Sequence, residues 1–484
     1  MFTQSVSPTR PLARGGVVNA AILAAAIGLL GATPAAHAQL GKKKDHQTTT
    51  TQPRSNQPQQ PAAASSAPHS FLDDLFKKGG RTHDWILKIN VHVDSYQDRN
   101  VYVQPGALPP GSGQPAITLT PSGTTNPASG SMPQYIPFKF DSASVIFPAI
   151  QSTASSTMTS EISGTLKMDG KTVAEETKSF LDNLPGGARY ARWELKNLEG
   201  RQLDFDVDLP VTCRELIFDD ARASKAVWPK NNKWPKDAAS TFAPQMGIEL
   251  GVPILGETIN AWCAGKSPQT LPPLQLAKFI AGRVIEEIQP SGDGIVSSRT
   301  GLLQGFELHG VEYTLQQKRG SEHDIACTLA ALYRTAGLPA RVVIGYDVSE
   351  SKGNDLGLKK KLGGKLHSWV EFALVDELVT TKAGEASLAW IPVDVAKQRK
   401  SGNKAPAFDK PWKFLGNNDE TDSIIPIAFN YHPPQQLAGI VAHGSPCFWG
   451  WITFPEVQYG AEQMVRFTTI TAPRTATPPI TEKK

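Results

Sequence analysis

Two short runs in the second half of the chain contain residues that could share a proton. His367 lies in Leu366-His-Ser-Trp-Val-Glu371, and Asp394 ends Trp390-Ile-Pro-Val-Asp394. Both runs are typical of strands, with His367 near the start of one and Asp394 at the end of the next. In an antiparallel pair the start of one strand lies opposite the end of its neighbour, so the two side chains can meet. An imidazole oriented by a carboxylate can serve as the base of nucleophilic acyl transfer, although a purely structural pair has the same spacing.

The helix that precedes these strands is the expected source of a nucleophile. Ser321 can cap a helix over residues 322–336, with Asp324 closing a capping box, and Gly337 can end it. The first helical residue is Glu322, where a cysteine would make chemical sense because a helix N-terminus lowers a thiol pKa. Glu322 also has a plain structural explanation, since acidic residues suit the first turn of a helix.

The order of these three blocks, from Gly320 to Asp394, resembles the bacterial transglutaminase-like family, relatives of papain-type thiol enzymes. The resemblance implies a nucleophilic Cys at the helix start, a His at the start of one strand and an Asp at the end of the next. His367 and Asp394 match that pattern, whereas Glu322 occupies the position of the Cys. The resemblance therefore implies the family's geometry with its nucleophile replaced.

Cys327 is the other candidate nucleophile, since it is the one cysteine within the motif. It lies five residues beyond Glu322, which is about 7.5 Å farther along the helix and about 140° around it. We expect it to pack as a small hydrophobic residue, because buried structural cysteines are inert. A helix that starts later would favour the nucleophile interpretation.

The remaining pattern predicts an α+β fold with two main parts. Alternating runs beginning at Trp85, Tyr135, Ile162, Arg189 and Leu203 predict an N-terminal antiparallel β-sandwich-like domain, with an Asp-Gly hairpin turn after Met168. A transglutaminase-like, papain-like α+β domain should follow, beginning with a helix over about 272–288. We predict a signal peptide at 1–38, a disordered linker at 39–80, the β-rich domain at 81–220, a connecting region at 221–270, the transglutaminase-like domain at 271–400 and a C-terminal β-rich extension at 401–484. Loops are expected at residues 105–134 and 352–365.

The N-terminus has the features of an export signal. Arg10 and Arg14 precede an apolar run from Val17 to Leu30, and Ala36-His-Ala38 is a small-residue cleavage site. The run is too short for a membrane span, and no second long apolar segment follows. We therefore expect a periplasmic or secreted protein with no membrane span after cleavage at Gln39.

Composition argues against some classes of partner and cofactor. The chain has 484 residues, a net charge of +4, and no cluster of basic residues interleaved with aromatic ones, which argues against nucleic-acid binding. No Cys-x-x-Cys or His-x-x-x-His spacing suggests a zinc site, and we expect no metal and no cofactor. Export makes disulfides possible among the four cysteines, with Cys213–Cys263 weakly favoured and four unpaired thiols equally compatible with the sequence.

These observations favour an exported transglutaminase-like protein with a degenerate triad that binds a peptide, protein or glycopeptide ligand in the cell envelope. The alternative is an active cysteine protease, amidase or transglutaminase-type acyl transferase that uses Cys327 or a water assisted by Glu322. A third hypothesis assigns ligand binding to the β-rich domain and leaves the second domain as a scaffold.

Overall fold

The computed structural model describes ten segments, residues 70–77, 79–95, 137–173, 177–297, 302–349, 364–380, 385–402, 404–438, 442–456 and 461–471. The predicted signal peptide, the linker up to residue 69, the loop at 105–134 and most of the loop at 352–365 lie outside the described residues. The described segments all belong to one compact unit, Ser66–Lys484. Among them, no helix has the length and apolar character needed to cross a membrane.

Strands dominate the described chain, as the alternating sequence predicts. The strands are β1 Thr82–Ser95, β2 Phe138–Pro148, β3 Ser156–Met158, β4 Ser163–Met168, β5 Lys171–Val173, β6 Thr177–Leu184, β7 Ala188–Gly200, β8 Gln202–Arg214, β9 Gln289–Pro290, β10 Ile295–Ser297, β11 Leu303–Phe306, β12 Arg319–Gly320, β13 Ala340–Asp347, β14 Lys365–Thr380, β15 Ala386–Val393, β16 Ile424–Phe429, β17 His443–Ser445, β18 Trp449–Phe454 and β19 Ala461–Thr471.

The helices are concentrated in the middle of the chain. They are α1 Asp220–Ala223, α2 Lys236–Ala239, α3 Pro253–Trp262, α4 Pro273–Glu287, α5 Val311–Gln317, α6 Glu322–Thr335, α7 Val395–Lys400 and α8 Pro434–Ala438. Short 3-10 helices span Phe71–Asp74, Pro185–Gly187, Lys230–Asn232, Ser240–Phe242, Pro268–Thr270 and Thr421–Ser423.

Two antiparallel sheets form the N-terminal sandwich. One has the strand order β10-β11-β19-β1-β8-β4-β5, with β3 also on β8, and the other has the order β17-β18-β2-β7-β6. The alternate residues Leu87, Ile89 and Val91 of β1 are fully buried, as expected for a strand with one face on a core. Trp193 of β7 packs edge-on against Phe205 of β8, with ring centroids 5.1 Å apart, which joins the two layers.

The predicted hairpin after Met168 is present. Met168 of β4 faces Lys171 of β5, and the two turn residues have positive φ angles, 48° at Asp169 and 74° at Gly170. Asn, Asp and Gly tolerate this left-handed backbone best, which explains why Asp-Gly predicts the turn.

The second part is a four-stranded antiparallel sheet with the order β15-β14-β13-β16. Helix α6 packs on β13 and β14, and its side chains from Ile325 to Tyr333 are buried. The α+β prediction, with mostly antiparallel sheets, is confirmed.

Pairing of the C-terminal strands is a feature that the sequence did not predict. Strand β16 completes the four-stranded sheet, β18 pairs with β2, and β19 pairs with β1 over 11 residues from Trp85 to Ser95. The four described strands after residue 400 belong to three sheets, each of which has members from earlier in the chain.

All four cysteines are unpaired thiols. The weakly favoured Cys213–Cys263 bond is therefore not formed. Cys213 is buried on β8, and Cys263 is the partly exposed C-cap of α3. Burial raises the pKa of both thiols, which keeps them protonated.

Candidate functional site

Helix α6 begins where its capping residues predict. The Ser321 side chain accepts a hydrogen bond from the backbone N–H of Asp324, and the Asp324 carboxylate accepts from the backbone N–H of Ser321. Asp324 also accepts a 2.7 Å bond from the backbone N–H of His309. This capping box makes Glu322 the first helical residue, with its side chain at the positive end of the helix dipole.

The antiparallel sheet brings His367 and Asp394 together. Strand β14 carries His367 near its start and pairs with β15 through Val370 and Val393, so Asp394 follows directly at the end of β15. His367 Nε2 lies 2.6 Å from Asp394 Oδ2, and both side chains are almost fully buried. The His367 ring stacks on Trp369 with centroids 5.9 Å apart, which limits its orientations.

Glu322 extends this pair into a line of four alternating charges. Its Oε1 atom is 3.4 Å from His367 Nδ1, and its Oε2 atom accepts a 3.0 Å bond from Lys365 Nζ. The Glu322 side chain is 14% exposed and that of Lys365 is 44% exposed, so the line runs from the interior to the surface. The structure thus brings Glu322, His367 and Asp394 together, and their functional roles stay a prediction.

Electrostatics favour the ionised forms of His367 and Glu322. Burial disfavours the imidazolium, but the charges and hydrogen bonds of Asp394 and Glu322 outweigh it and raise the pKa of His367 to about 10. Burial likewise disfavours the carboxylate of Glu322, but His367 outweighs it and lowers the pKa of Glu322 to about 2. At neutral pH both ring nitrogens of His367 therefore carry protons and face a carboxylate each.

Lys397 links Asp394 to a second cluster of ion pairs. Asp394 Oδ1 accepts a 2.9 Å bond from the backbone N–H of Lys397, so Asp394 is the N-cap of α7. The buried Lys397 Nζ lies 2.7 Å from Asp347 Oδ2 and also contacts Glu420. Sequence reasoning missed Lys397, although an Asp before a short run rich in Lys and Arg is a recognisable capping signal.

A neutral hydrogen-bonded triangle lies on the core side of Glu322. His323 Nδ1 is 2.8 Å from Ser368 Oγ and 2.9 Å from the Tyr431 hydroxyl, and the two hydroxyls are 2.9 Å apart. All three residues are buried, and burial is the main cause that lowers the pKa of His323 to about 4. Sequence reasoning missed His323 and Tyr431, and no local signal links Tyr431 to the other two.

Cys327 lies apart from the charged line. It is fully buried, and no described hydrogen bond joins it to His367. A Cβ atom added to Gly247 would come within 3.2 Å of its Sγ, so the thiol packs against that segment. Burial, followed by the charges of Asp324 and Glu249, raises the pKa of Cys327 well above its usual value. A thiol in this state is a poor nucleophile, which weighs against the interpretation that uses Cys327.

The described residues include no candidate metal site. Nowhere among them do three or more His, Cys, Asp or Glu side chains come together in a group that could hold an ion. The expectation of no metal and no cofactor stays a prediction. Lys365 and part of Glu322 are exposed at the outer end of the site, which allows contact with a charged or polar ligand.

The family comparison matches the stretch that contains these residues. The model of the Transglutaminase-like superfamily covers residues 272–395, from the start of α4 to the start of α7. Residues 272–395 form a transglutaminase-like domain. Glu322, His367 and Asp394 all lie within it. No curated protein matches the chain.

Solved structures show only distant resemblance. A "putative cysteine protease" from Cytophaga hutchinsonii is 10% identical with a TM-score of 0.42, and the match covers 82% of this chain and 93% of that chain. The periplasmic domain of TgpA from Pseudomonas aeruginosa is 14% identical with a TM-score of 0.22, and the match covers 57% and 96%. At these scores nothing about the activity of this protein follows from the likeness.

Proposed function

We propose that this protein is exported and that its transglutaminase-like domain binds peptide or glycopeptide in the cell envelope through a degenerate triad, without cleaving amides. The export signal in the sequence supports the location. The observation that carries the proposal is the position of His367 between the carboxylates of Glu322 and Asp394.

Without a thiolate at position 322, attack on an amide would need a base with a free lone pair to activate a water molecule. His367 offers no lone pair when both ring nitrogens carry protons. Glu322 is a weak base because its pKa is lowered to about 2. A carboxylate is also a poor replacement for a thiolate in attack on an amide. The domain therefore retains the charges of the triad and lacks its reactivity.

The exposed end of the site suits a peptide-like ligand. Lys365 places a cationic donor at the surface, 3.0 Å from the mostly buried carboxylate of Glu322. Peptides and the stem peptides of glycopeptides carry ammonium or amide N–H groups beside carboxylates and carbonyls, so they can complement both charges.

The test combines binding and turnover on the protein that begins at Gln39. Isolated peptidoglycan sacculi and soluble peptide fragments released from them serve as probes, in co-sedimentation and calorimetry. We expect saturable binding that weakens at least tenfold in Glu322→Gln and in Lys365→Ala. Lys413→Ala is the matched control, because Lys413 is an exposed lysine that pairs with Asp419 outside the site.

Mass spectrometry of the same mixtures should show no hydrolysed or transamidated product. Turnover by the wild type that disappears in Cys327→Ser or Glu322→Gln would establish the enzymatic alternative. Binding that is equal in all the variants would place the ligand elsewhere, as the hypothesis of a ligand-binding β-rich domain requires.

A further inference from the structure

At the N-terminal end of α6, two consecutive helix residues contact two consecutive residues of β14. Glu322 meets His367 at the outer contact, and His323 meets Ser368 at the inner contact. The outer contact spans 3.4 Å and is partly exposed, whereas the inner contact spans 2.8 Å and is buried. The shorter, buried contact is the better candidate for setting the distance between the helix and the strand.

Tyr431 closes the inner contact into a triangle. Its hydroxyl is 2.9 Å from both His323 Nδ1 and Ser368 Oγ. Tyr431 lies two residues after the end of β16 and directly follows Asn430, which has a positive φ angle. Phe306 packs edge-on against His323 and Tyr431, with ring centroids 4.8 Å and 4.9 Å away. Three segments of chain therefore meet at one set of hydrogen bonds.

The loop before β10 packs closely against the N-terminus of α6. Gly294 has φ 67°, and a Cβ atom there would lie 2.5 Å from Ser321 Oγ and 3.0 Å from His323 Cδ2. Only glycine fits this approach without displacing the helix. The first turn of α6 thus has little freedom to move relative to β14.

The triangle does not form a second catalytic couple. A Ser hydroxyl beside a neutral imidazole is a nucleophile–base arrangement in other proteins. Here Ser368 is 3% exposed and His323 is fully buried, so no substrate atom can reach the hydroxyl. The two hydroxyls and His323 Nδ1 can be buried at low cost because they hydrogen-bond to one another, whereas His323 Nε2 has no partner among the described residues. These buried hydrogen bonds suit a structural contact.

We propose that His323, Ser368 and Tyr431 are positioning residues that hold Glu322 against His367. The proposal rests on the site of the proposed function, because it concerns the pair that this function uses. Its test involves no ligand, so failure to bind peptide or glycopeptide would leave the result below intact.

The test reads the position of Glu322 from the ionisation of His367. An NMR titration of the His367 ring in Glu322→Gln measures how far the His367 pKa falls when the carboxylate charge is lost. We expect Ser368→Ala to lower the His367 pKa in the same direction, because Glu322 is no longer held in contact. In the double variant Glu322→Gln with Ser368→Ala, we expect no further fall than in Glu322→Gln alone. Ser368→Thr, which keeps a hydroxyl, should restore most of the wild-type value.

Leu332→Ala is the matched control for loss of stability alone. Leu332 is fully buried on the same helix and takes no part in the triangle. We expect its melting temperature to fall, because a buried side chain is truncated, and its His367 pKa to stay at the wild-type value. If Ser368→Ala does not fold, Tyr431→Phe removes one hydroxyl of the triangle and keeps the ring, and a smaller fall in the His367 pKa is expected. A folded Ser368→Ala or Tyr431→Phe protein with an unchanged His367 pKa would overturn the proposal.

Discussion

At the scale of single residues, Glu322 supplies a negative charge beside His367 and, in the proposed function, stands in place of a thiol nucleophile. An activated thiol beside an imidazole forms a thiolate–imidazolium pair. Glu322 and His367 form a carboxylate–imidazolium pair at the same helix start. The Glu322 carboxylate therefore stabilises both the buried imidazolium and the positive end of the helix dipole, so neither requires a thiolate at this position.

The pH dependence of stability should report this pair. His367 has a folded pKa of about 10 against an ordinary 6.5, so its stabilising contribution is complete below pH 6.5 and is lost as the pH rises toward 10. Glu322 has a folded pKa of about 2 against an ordinary 4.5, so its contribution is complete above pH 4.5 and is lost as the pH falls toward 2. The free energy of unfolding lost in Glu322→Gln should thus be largest between pH 4.5 and 6.5, measured by urea denaturation.

The same variant should shift the titration of His367. Removal of one adjacent carboxylate charge should lower the His367 pKa by roughly 1 to 3 pH units, since that is the usual effect of a close opposite charge. A His367 pKa that is unchanged in Glu322→Gln would contradict the electrostatic description of the site.

Cys327 should resist alkylation in the folded protein. Its thiol is buried with a raised pKa, whereas Cys263 is partly exposed. Iodoacetamide labelling followed by peptide mass spectrometry should modify Cys263 at least about 100-fold faster than Cys327, because Cys327 becomes accessible only through opening of the fold. Rapid labelling of Cys327 that His367→Ala abolishes would instead support Cys327 as a nucleophile.

At the scale of elements, the helix start and the two strand ends define the site. The capping box places residue 322 at the N-terminus of α6, and pairing of β14 with β15 places His367 beside Asp394. These are properties of backbone geometry, so they should survive a change of side chain at position 322.

Glu322→Cys tests that geometry in a Cys327→Ser background. The new thiol would face an imidazolium at a helix N-terminus, and both favour the thiolate, so we expect its pKa to fall to roughly 7.5 or lower. The pH profile of alkylation, followed on the peptide that contains residue 322, gives the thiol pKa.

His367→Ala is the control and should return the alkylation profile toward that of a free thiol. A free-thiol profile with His367 present would show that the three positions do not converge. Amide turnover need not return, because oxyanion donors and substrate contacts are separate requirements.

At the scale of the whole molecule, the C-terminal strands hold the N-terminal sandwich together. Strand β19 covers one edge of β1, and β18 covers one edge of β2. Strand β16, which precedes both of these strands in sequence, joins the four-stranded sheet. The sandwich and the transglutaminase-like domain therefore depend on the same C-terminal chain.

Truncation after Glu456 should destabilise the protein strongly. Loss of β19 would expose an edge of β1 and the core contacts of Val465, and each buried apolar side chain contributes about 1.5–3 kcal/mol. We expect a lower melting temperature and aggregation through the open edge, measured by calorimetry and light scattering. Truncation after Thr471 is the control, because it removes no described strand. Equal stability of the two truncated proteins would contradict this role of β19.

Much of the site could be predicted from the sequence because its determinants are local. Ser321 and Asp324 cap a helix within one turn, and alternation marks the strands that carry His367 and Asp394. The antiparallel rule then brings these last two residues together. The fold class followed from the same local patterns, and the resemblance to the transglutaminase-like family from the order of the three blocks.

The tertiary structure decided the features that depend on residues distant in the chain. The triangle joins His323 to Ser368 and Tyr431, which lie 45 and 108 residues away, and its members have no shared local pattern. Pairing of β19 with β1 is equally non-local, and the burial that keeps Cys327 protonated comes from the surrounding fold. Local hydrogen bonds and periodicity determine what each segment becomes, whereas packing between segments determines which partners they meet and which side chains keep their charge.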